Sequence, residues 1–577
     1  MSWSPRGLLP TRTDLDLRPR TLRADAVAGV TVGIVALPLA LAFGESTGVG
    51  PAAGLVTAVV AGIVAAVFGG SRVQVSGPTG AMAVVLAPIV AQHGPAVVPL
   101  VALLAGAIVL LAGAARLGRV VTFIPWPVVE GFTLGIATII FLQQVPAAVA
   151  VHAPPGGRPL AVAVDALTHP GQGTAWALAT VAAVAAIMVV LPRLLPGLPA
   201  SLVAIVAVTI AARLADAPLA RIGALPDSLP LPALPAVDPG LLRSLLGPAV
   251  AVAALAAIES LLSARVAAAM PVPPARDGSA PDSETDARRY DPDRELVGQG
   301  LASLASGVFG GMPATGAIAR TAVNVRAGAR TRLAAVTHSL VILAVISLAT
   351  GPVSAIPLAA LAGVLMVTAT RMVSVAAVRA VLTSTRADAV VLVVTAAITI
   401  AVDLIEAVQI GLVVAAFFAL RAVAKATSVH REPLPGPAHA GDEHIALYRL
   451  DGAMFFGAAD RIGAEIRADA DALVVVLRLS QLRLVDATGA HALAELVAHL
   501  ELAGVTVLVK GVRPAHLPLL TRVGVLDELR HENHLFDDLA PAIAHARSHV
   551  ARSRLPAARP GAVDAPTGTV PRPRARS

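Results

Sequence analysis

The sequence predicts an α-helical polytopic membrane protein with fourteen spans, followed by a small soluble α/β domain. Three observations carry this reading. Of 577 residues, 56% are hydrophobic and 14% charged, with a mean hydropathy of +0.77; an ordinary soluble domain has about 25% charged residues. Apolar stretches long enough to cross about 30 Å of hydrocarbon fall at 24–44, 51–69, 77–92, 96–115, 120–148, 174–191, 199–213, 245–270, 295–310, 313–325, 330–350, 356–373, 387–403 and 405–424. After Arg421 the composition changes to short alternating and β-rich runs.

Residues 1–23 mix Arg with Asp and lack a signal-peptide layout, so they are expected to be a cytoplasmic N-terminal segment. The transmembrane domain is expected over 24–424. An even span count places both termini on one side. Fourteen Arg residues then fall in loops on that side, against four (Arg158, Arg213, Arg221 and Arg243) on the other. This asymmetry follows the positive-inside rule and makes the shared side cytoplasmic. Residues 425–441, with a Pro-rich stretch at 432–437, read as a linker. The soluble domain is expected over 442–550: Ile445–Leu450 alternates like a strand, 473–479 and 505–510 are β-rich, and 457–468 and 489–503 have helical spacing. Residues 551–577, rich in Pro, Arg and Ala, are expected to be disordered.

Composition also excludes function classes. There is no Cys, hence no disulfide, thiolate metal site or Cys nucleophile. The net charge of +7 reads as cytoplasmic loop charge, because two Tyr, no basic patch with interleaved aromatics and no zinc spacing argue against nucleic acid. No triad order or metal cluster suggests an enzyme. No cofactor and no metal are expected.

The third stretch opens with Ser76–Ala83 and the tenth with Met312–Ala319; Thr79-Gly80-Ala81 and Thr315-Gly316-Ala317 match directly. An offset of seven spans, an odd number, gives the two copies opposite topology. Paired interrupted segments at matching places mark a transport site near the bilayer midplane. A helix starting inside the membrane has unpaired N–H groups and a positive dipole end. Two such ends facing each other form an anion cradle. Gly80 and Gly316 would admit a ligand close to the backbone, and Thr79 and Thr315 offer hydroxyls. The competing reading is close helix packing through small residues.

Ionisable residues at membrane depth are functional candidates by default. Glu259, inside the eighth span, is the coupling-ion candidate, with pairing to Arg320 as the alternative. Arg320 would add positive potential to the cradle or snorkel to the inner surface. His338 reads as a packing residue, and Glu130, Asp388, Asp403 and Glu406 as interfacial.

The segments Val35–Phe43, Val75–Ala81, Phe123–Ile136, Ile258–Leu262, Glu295–Gly300 and Gly310–Asn324 resemble the sulfate permease (SulP) family of anion transporters. The tail, with Val485–Gly489 between a strand and a helix, resembles a STAS domain. The resemblance spans about 20–550 in order. It implies a seven-plus-seven inverted repeat, with a mobile core of spans 1–4 and 8–11 and a gate of spans 5–7 and 12–14. It also implies elevator-like alternating access and a homodimer contacting through STAS. The implied anion site includes Phe43, Pro78, Thr79, Gly80, Ala81, Gly316, Ala317, Ile318, Ala319 and Arg320. Asp486, Thr488 and Gly489 match the phosphoacceptor loop of anti-sigma antagonist STAS domains.

Two departures shape the expected activity. Leu39 stands where many relatives have Gln, as in the bacterial branch with bicarbonate and dicarboxylate carriers. Sodium-coupled bicarbonate relatives have Asp at the Glu259 position and Thr at the Ile318 position. Glu259 with Ser263 alone is a poor oxygen cage for sodium. The expected function is therefore a secondary transporter of bicarbonate, sulfate or a dicarboxylate, proton-coupled or exchanging, in the lipid of the plasma membrane. A sodium-coupled bicarbonate symporter, a nucleobase-type carrier and a membrane-anchored STAS regulator are the alternatives.

Overall fold

The computed structural model describes residues 16–119, 125–151, 158–195, 198–225, 228–235, 238–270, 290–401, 404–426, 428–455, 466 and 472–554. Residues 1–15, Asp403, most of 457–468 and the tail beyond 554 lie outside the described residues, so the expectations made for them are not addressed. The chain divides into two compact units, Met1–Ala415 and Ala416–Ser577.

The first half of the helical unit comprises α1 (Pro19–Ser46), α2 (Pro51–Phe68), α3 (Gly80–His93), α4 (Val98–Ala114), α5 (Trp126–Ala148), α6 (Pro159–Thr168), α7 (Thr174–Leu194) and α8 (Ala200–Leu214). The second half comprises α9 (Pro239–Ala269), α10 (Pro292–Val308), α11 (Ile318–Arg326), α12 (Arg332–Leu348), α13 (Thr350–Ser354), α14 (Leu358–Met372), α15 (Val375–Ser384), α16 (Arg386–Ala401) and α17 (Leu404–Ala426). Each of the fourteen apolar stretches contains one helix; α6, α13 and α15 are additional. Among the described residues, seven helices are long and apolar enough to cross a membrane by length and composition. The tenth stretch differs most from expectation. Residues 312–317 are extended and only Ile318–Arg326 is helical, because Pro313 and Gly316 disfavour helix.

Helix contacts come in matched pairs, as an inverted repeat requires. α4 packs on α10 and α9, and its counterpart α12 packs on α2 and α1. α5 packs on α16 and α14, while α7 packs on α14. The α4–α10 contact is close because small residues face each other: a Cβ on Gly300 would sit 2.5 Å from the Leu110 amide nitrogen.

The chain before α3 is held by Glu295 of α10, which is 1% exposed. Its Oε2 accepts from the Gly70 and Ser71 amides at 2.9 and 3.0 Å. Its Oε1 accepts from Gln74 and Gln299 Nε2, both at 2.9 Å. Glu295→Ala would strand four buried donors, so we expect a loss of about 2–3 kcal/mol, read as a lower melting temperature in detergent. Glu295→Gln is expected to cost less. The Oε1 atoms of Gln74 and Gln299 have no partner among the described residues, and an amide flip would offer them to the new NH2.

The second unit is built on a mixed sheet: β3 (Ser428–Glu432), β4 (Ile445–Met454), β5 (Val474–Arg478), β6 (Leu482–Val485), β7 (Thr506–Lys510) and β8 (Leu535–Phe536), numbered after the short pair β1 and β2 described below. The order is β3-β4-β5-β7-β8, with β6 also on β4; β3 is antiparallel and the rest parallel. Among the described residues, helices α18 (Ala487–Leu502), α19 (Leu517–Val523) and α20 (Leu539–Arg554) accompany it. Val475 and Leu477 pack towards Leu493 and Val497 of α18, while Val474 and Val476 pack towards Ala542 and Ala546 of α20. A strand buried on both faces explains the unbroken Val run. The expected linker 425–441 contains β3. Ser428–Glu432 has one apolar side chain, so its pairing with β4 could not be read from alternation. The Arg547 guanidinium hydrogen-bonds Asp442 at 2.8 Å and holds its carboxyl below the usual range, fixing α20 to the turn that leads into β4.

Candidate functional site

The Gly- and Pro-containing segments of the two repeats meet as a two-stranded antiparallel ribbon, β1 (Ser76–Gly77) and β2 (Thr315–Gly316). The register pairs Ser76 with Gly316 and Gly77 with Thr315, and the Ala317 amide donates to the Val75 carbonyl at 2.9 Å. Antiparallel pairing makes the chain leave the ribbon in opposite directions, into α3 on one side and α11 on the other. Irregular backbone at membrane depth needs partners from the protein, and neighbouring side chains supply them. The Val75 amide donates to Thr321 Oγ1 at 3.0 Å, and Asn324 Nδ2 donates to the Val73 carbonyl at 2.8 Å. The Gly316 amide donates to Ser260 Oγ at 3.0 Å, and the Met312 amide to Thr57 Oγ1 at 2.8 Å.

At the start of α3, Thr79 is the N-cap, with its Oγ1 accepting from the Met82 amide at 3.4 Å. At the start of α11, the N-cap Ala317 provides no side-chain cap. The first-turn amides of Gly80 and Ala81, and of Ile318 and Ala319, have no acceptor within their own helices. Gly316 is not in that set, because its amide is taken by Ser260. The Phe43 ring and the Ile140 side chain lie against Gly80: a Cβ there would sit 3.2 Å from Phe43 Cε1 and 2.3 Å from Ile140 Cδ1. Ile318 is 39% exposed and Ala319 is exposed as well.

Arg320 turns back into the ribbon. It is 2% exposed, its Nη2 donates to the Pro78 carbonyl, and its Nη1 has no hydrogen-bond partner among the described residues. It therefore does not snorkel. A buried guanidinium with an open donor gives the ribbon a fixed positive charge.

Glu259 of α9 meets both repeats at once. Its Oε2 accepts from Thr79 Oγ1 at 2.9 Å and from Thr315 Oγ1 at 2.8 Å. The two Thr residues are the repeat-matched pair, and their hydroxyls also touch each other at 3.3 Å. Hydroxyls expected to face an anion are instead given to a carboxylate. Pairing of Glu259 with Arg320 is not the arrangement found. Ser263 Oγ contacts Thr321 Oγ1 at 3.3 Å rather than this cluster. His338 is fully buried with Nδ1 beside Ser339 Oγ at 3.3 Å, a packing position.

A cavity of about 1070 Å³ lies between α1, α3, α5 and α14, lined by Ala42, Val84, Gln143, Gln144 and Leu358 among others. It reaches Val84, one helical turn beyond Gly80, and does not include the first-turn amides.

Comparison with known proteins identifies the family. The Sulfate permease family model matches residues 22–395, and the STAS domain model matches 437–542. The chain belongs to the sulfate permease family. Bacillus subtilis YvdB, named only provisionally as a sulfate transporter, is 32% identical over 523 residues, covering 89% of this chain and 96% of YvdB. The bicarbonate transporter BicA of Picosynechococcus sp. is 32% identical over 492 residues, covering 79% and 83%. The solved BicA transmembrane domain aligns at 30% identity with a TM-score of 0.58, over 69% of this chain and 98% of that one. Murine Solute Carrier 26 family member A9 shares the fold at 16% identity, with a TM-score of 0.79 and 94% of each chain covered.

In the STAS domain of this sulfate permease family member, Asp486 caps α18, its Oδ1 accepting from the Gly489 amide at 2.7 Å. A Cβ on Gly489 would sit 2.1 Å from the Met454 carbonyl oxygen. Thr488 is exposed on the first turn.

Two roles escaped the sequence reading: Thr79 and Thr315 as partners of Glu259, and the Glu295–Gln74–Gln299 anchor. The signal for the second was present, since Glu295 and Gln299 lie four apart on one face of an apolar helix.

A Cβ on Gly316 would lie 1.8 Å from Gln74 Nε2, and Gln74 is itself held by Glu295. Gly316→Ala is therefore expected to lose stability as well as anion binding. A melting curve alongside uptake separates this position from Gly80, where the clash is with the movable tip of Ile140.

Proposed function

We propose that this chain is a secondary active transporter of small anions, with bicarbonate, sulfate and dicarboxylates as the candidate substrates. The observation that carries the reading is the opposed pair of helix N-termini at the β1–β2 ribbon with the buried Arg320 beside it. First-turn amides, dipole ends and a guanidinium donor attract an anion without a lysine or a metal. Membership of a transporter family supports a carrier rather than an enzyme. The likeness to BicA favours bicarbonate as the first substrate to test.

In this reading the anion binds at Gly80, Ala81, Ile318, Ala319 and Arg320, with Phe43 and Pro78 shaping the site, while α1–α4 and α9–α12 move against the remaining spans in elevator-like alternating access. Glu259 carries the coupling proton, or transport proceeds by exchange. Both termini lie on the cytoplasmic side of the plasma membrane, and two chains associate through their STAS domains. Thr488, exposed beside the Asp486 cap, has the placement of a phosphoacceptor.

One observation supports a second coupling reading. Three oxygens converge at Glu259 once Thr79 and Thr315 are counted, a better cage for sodium than Glu259 with Ser263. Purified protein in proteoliposomes, given labelled bicarbonate, sulfate, fumarate or succinate under separate pH and sodium gradients, tests the activity. Uptake of at least one anion is expected, driven by pH in the first reading and by sodium in the second. Absence of uptake for every anion would leave a STAS-bearing regulator as the better reading.

A further inference from the structure

The STAS domain holds a group of imidazoles that no part of the transport reading uses. His534 sits in the loop before β8; His545 and His549 lie four residues apart on one face of α20. One ring nitrogen from each lies within 4.8 Å of the others. His545 Nε2 and His549 Nε2 are 3.2 Å apart, and the ring of His534 is 5.4 and 5.3 Å, centroid to centroid, from those two. His534 is 1% exposed, and its Nδ1 has no hydrogen-bond partner among the described residues.

We propose that His534, His545 and His549 form a binding site for a divalent transition-metal cation such as Zn2+.

The chemistry of the donor set supports this. Three imidazoles suit Zn, Cu or Ni rather than Mg or Ca. Metal–nitrogen bonds of about 2.0–2.1 Å in a tetrahedral site place ligand nitrogens roughly 3.3–3.4 Å apart. The His545–His549 pair already has that spacing, so bringing in His534 needs a movement on the order of 1 Å. Burial disfavours the imidazolium form, and the neutral ring is the one that ligates. The nearby Arg530 is engaged by Glu501 at 2.8 Å, which offsets its repulsion of a cation. Three protein ligands leave one position for water. The exposed His531, its ring 5.5 Å from His534, lies close by. Spacing gave no hint of the site, because His534 precedes His545 by eleven residues and the fold brings them together.

The test uses the full-length, tag-free chain in detergent, stripped with chelator and re-equilibrated with Zn2+. One Zn2+ per chain is expected by elemental analysis. Co2+ in its place should give tetrahedral d–d absorption. His545→Gln/His549→Gln is expected to weaken Zn2+ binding at least about tenfold and to lose the Co2+ spectrum, with monodispersity and zinc-free anion uptake unchanged. Substoichiometric zinc in the wild type, or equal affinity in the double variant, would overturn the proposal. Should that variant aggregate, the wild-type stoichiometry and Co2+ spectrum decide on their own. Uptake is a separate readout, so failure of the transport reading would not be mistaken for failure of this one.

Discussion

Glu259→Gln is expected to abolish gradient-driven anion uptake while leaving the protein folded. The substitution is close to isosteric, and an amide oxygen still accepts from Thr79 and Thr315, so the ribbon keeps its geometry. What is lost is the capacity to carry charge. A carboxylate that alternates between protonated and ionised states moves a proton with each cycle, and one that stays ionised can hold sodium; an amide does neither. Counterflow exchange, which needs no net coupling ion, should survive better than uptake driven by a gradient. Wild-type gradient dependence in the variant would remove Glu259 from coupling. Thr315→Val is the companion measurement. It removes one of the two hydroxyls from Oε2, and in the sodium reading it should weaken sodium dependence without changing anion selectivity.

Arg320→Gln is expected to lower anion affinity or uptake by roughly two to three orders of magnitude. The guanidinium is buried, so its charge is weakly screened, and its open Nη1 has no competing acceptor among the described residues. Gln removes the charge, and because its side chain is shorter the Pro78 carbonyl loses its Nη2 donor as well. Arg320→Lys should recover part of the activity, because a point charge replaces the fork but not its geometry. Measuring the melting temperature of each variant distinguishes a lost ligand contact from a loosened ribbon. Affinity within threefold of wild type in Arg320→Gln would mean that the amide dipoles suffice alone.

Much of this architecture was legible because the membrane imposes a simple rule: each crossing must be an apolar helix, and each interruption must be covered by protein. The fourteen stretches followed from that rule, and the matched Thr-Gly-Ala segments marked the two interruptions. Side-chain partnership was harder to see. Nothing in the spacing of Thr79, Glu259 and Thr315 shows that they meet, since each lies on a different segment and the inverted fold alone joins them. Arg320 could be read as snorkelling because its position near a helix start does not reveal which way the side chain turns. β3 was hidden for a different reason: an edge strand with one apolar residue, Val429, draws its stability from backbone pairing with β4, and a hydropathy pattern does not record that. The His534–His545–His549 cluster is likewise a product of tertiary contact.

The account rests on the anion being held where α3 and α11 begin. The most direct measurement is a structure of the protein with selenate or bromide, read by anomalous scattering. The expected peak lies within hydrogen-bond reach of the first-turn amides of α3 and α11 and of Arg320 Nη1. A reproducible peak confined to the cavity near Gln143 and Gln144, with the ribbon empty, would contradict it.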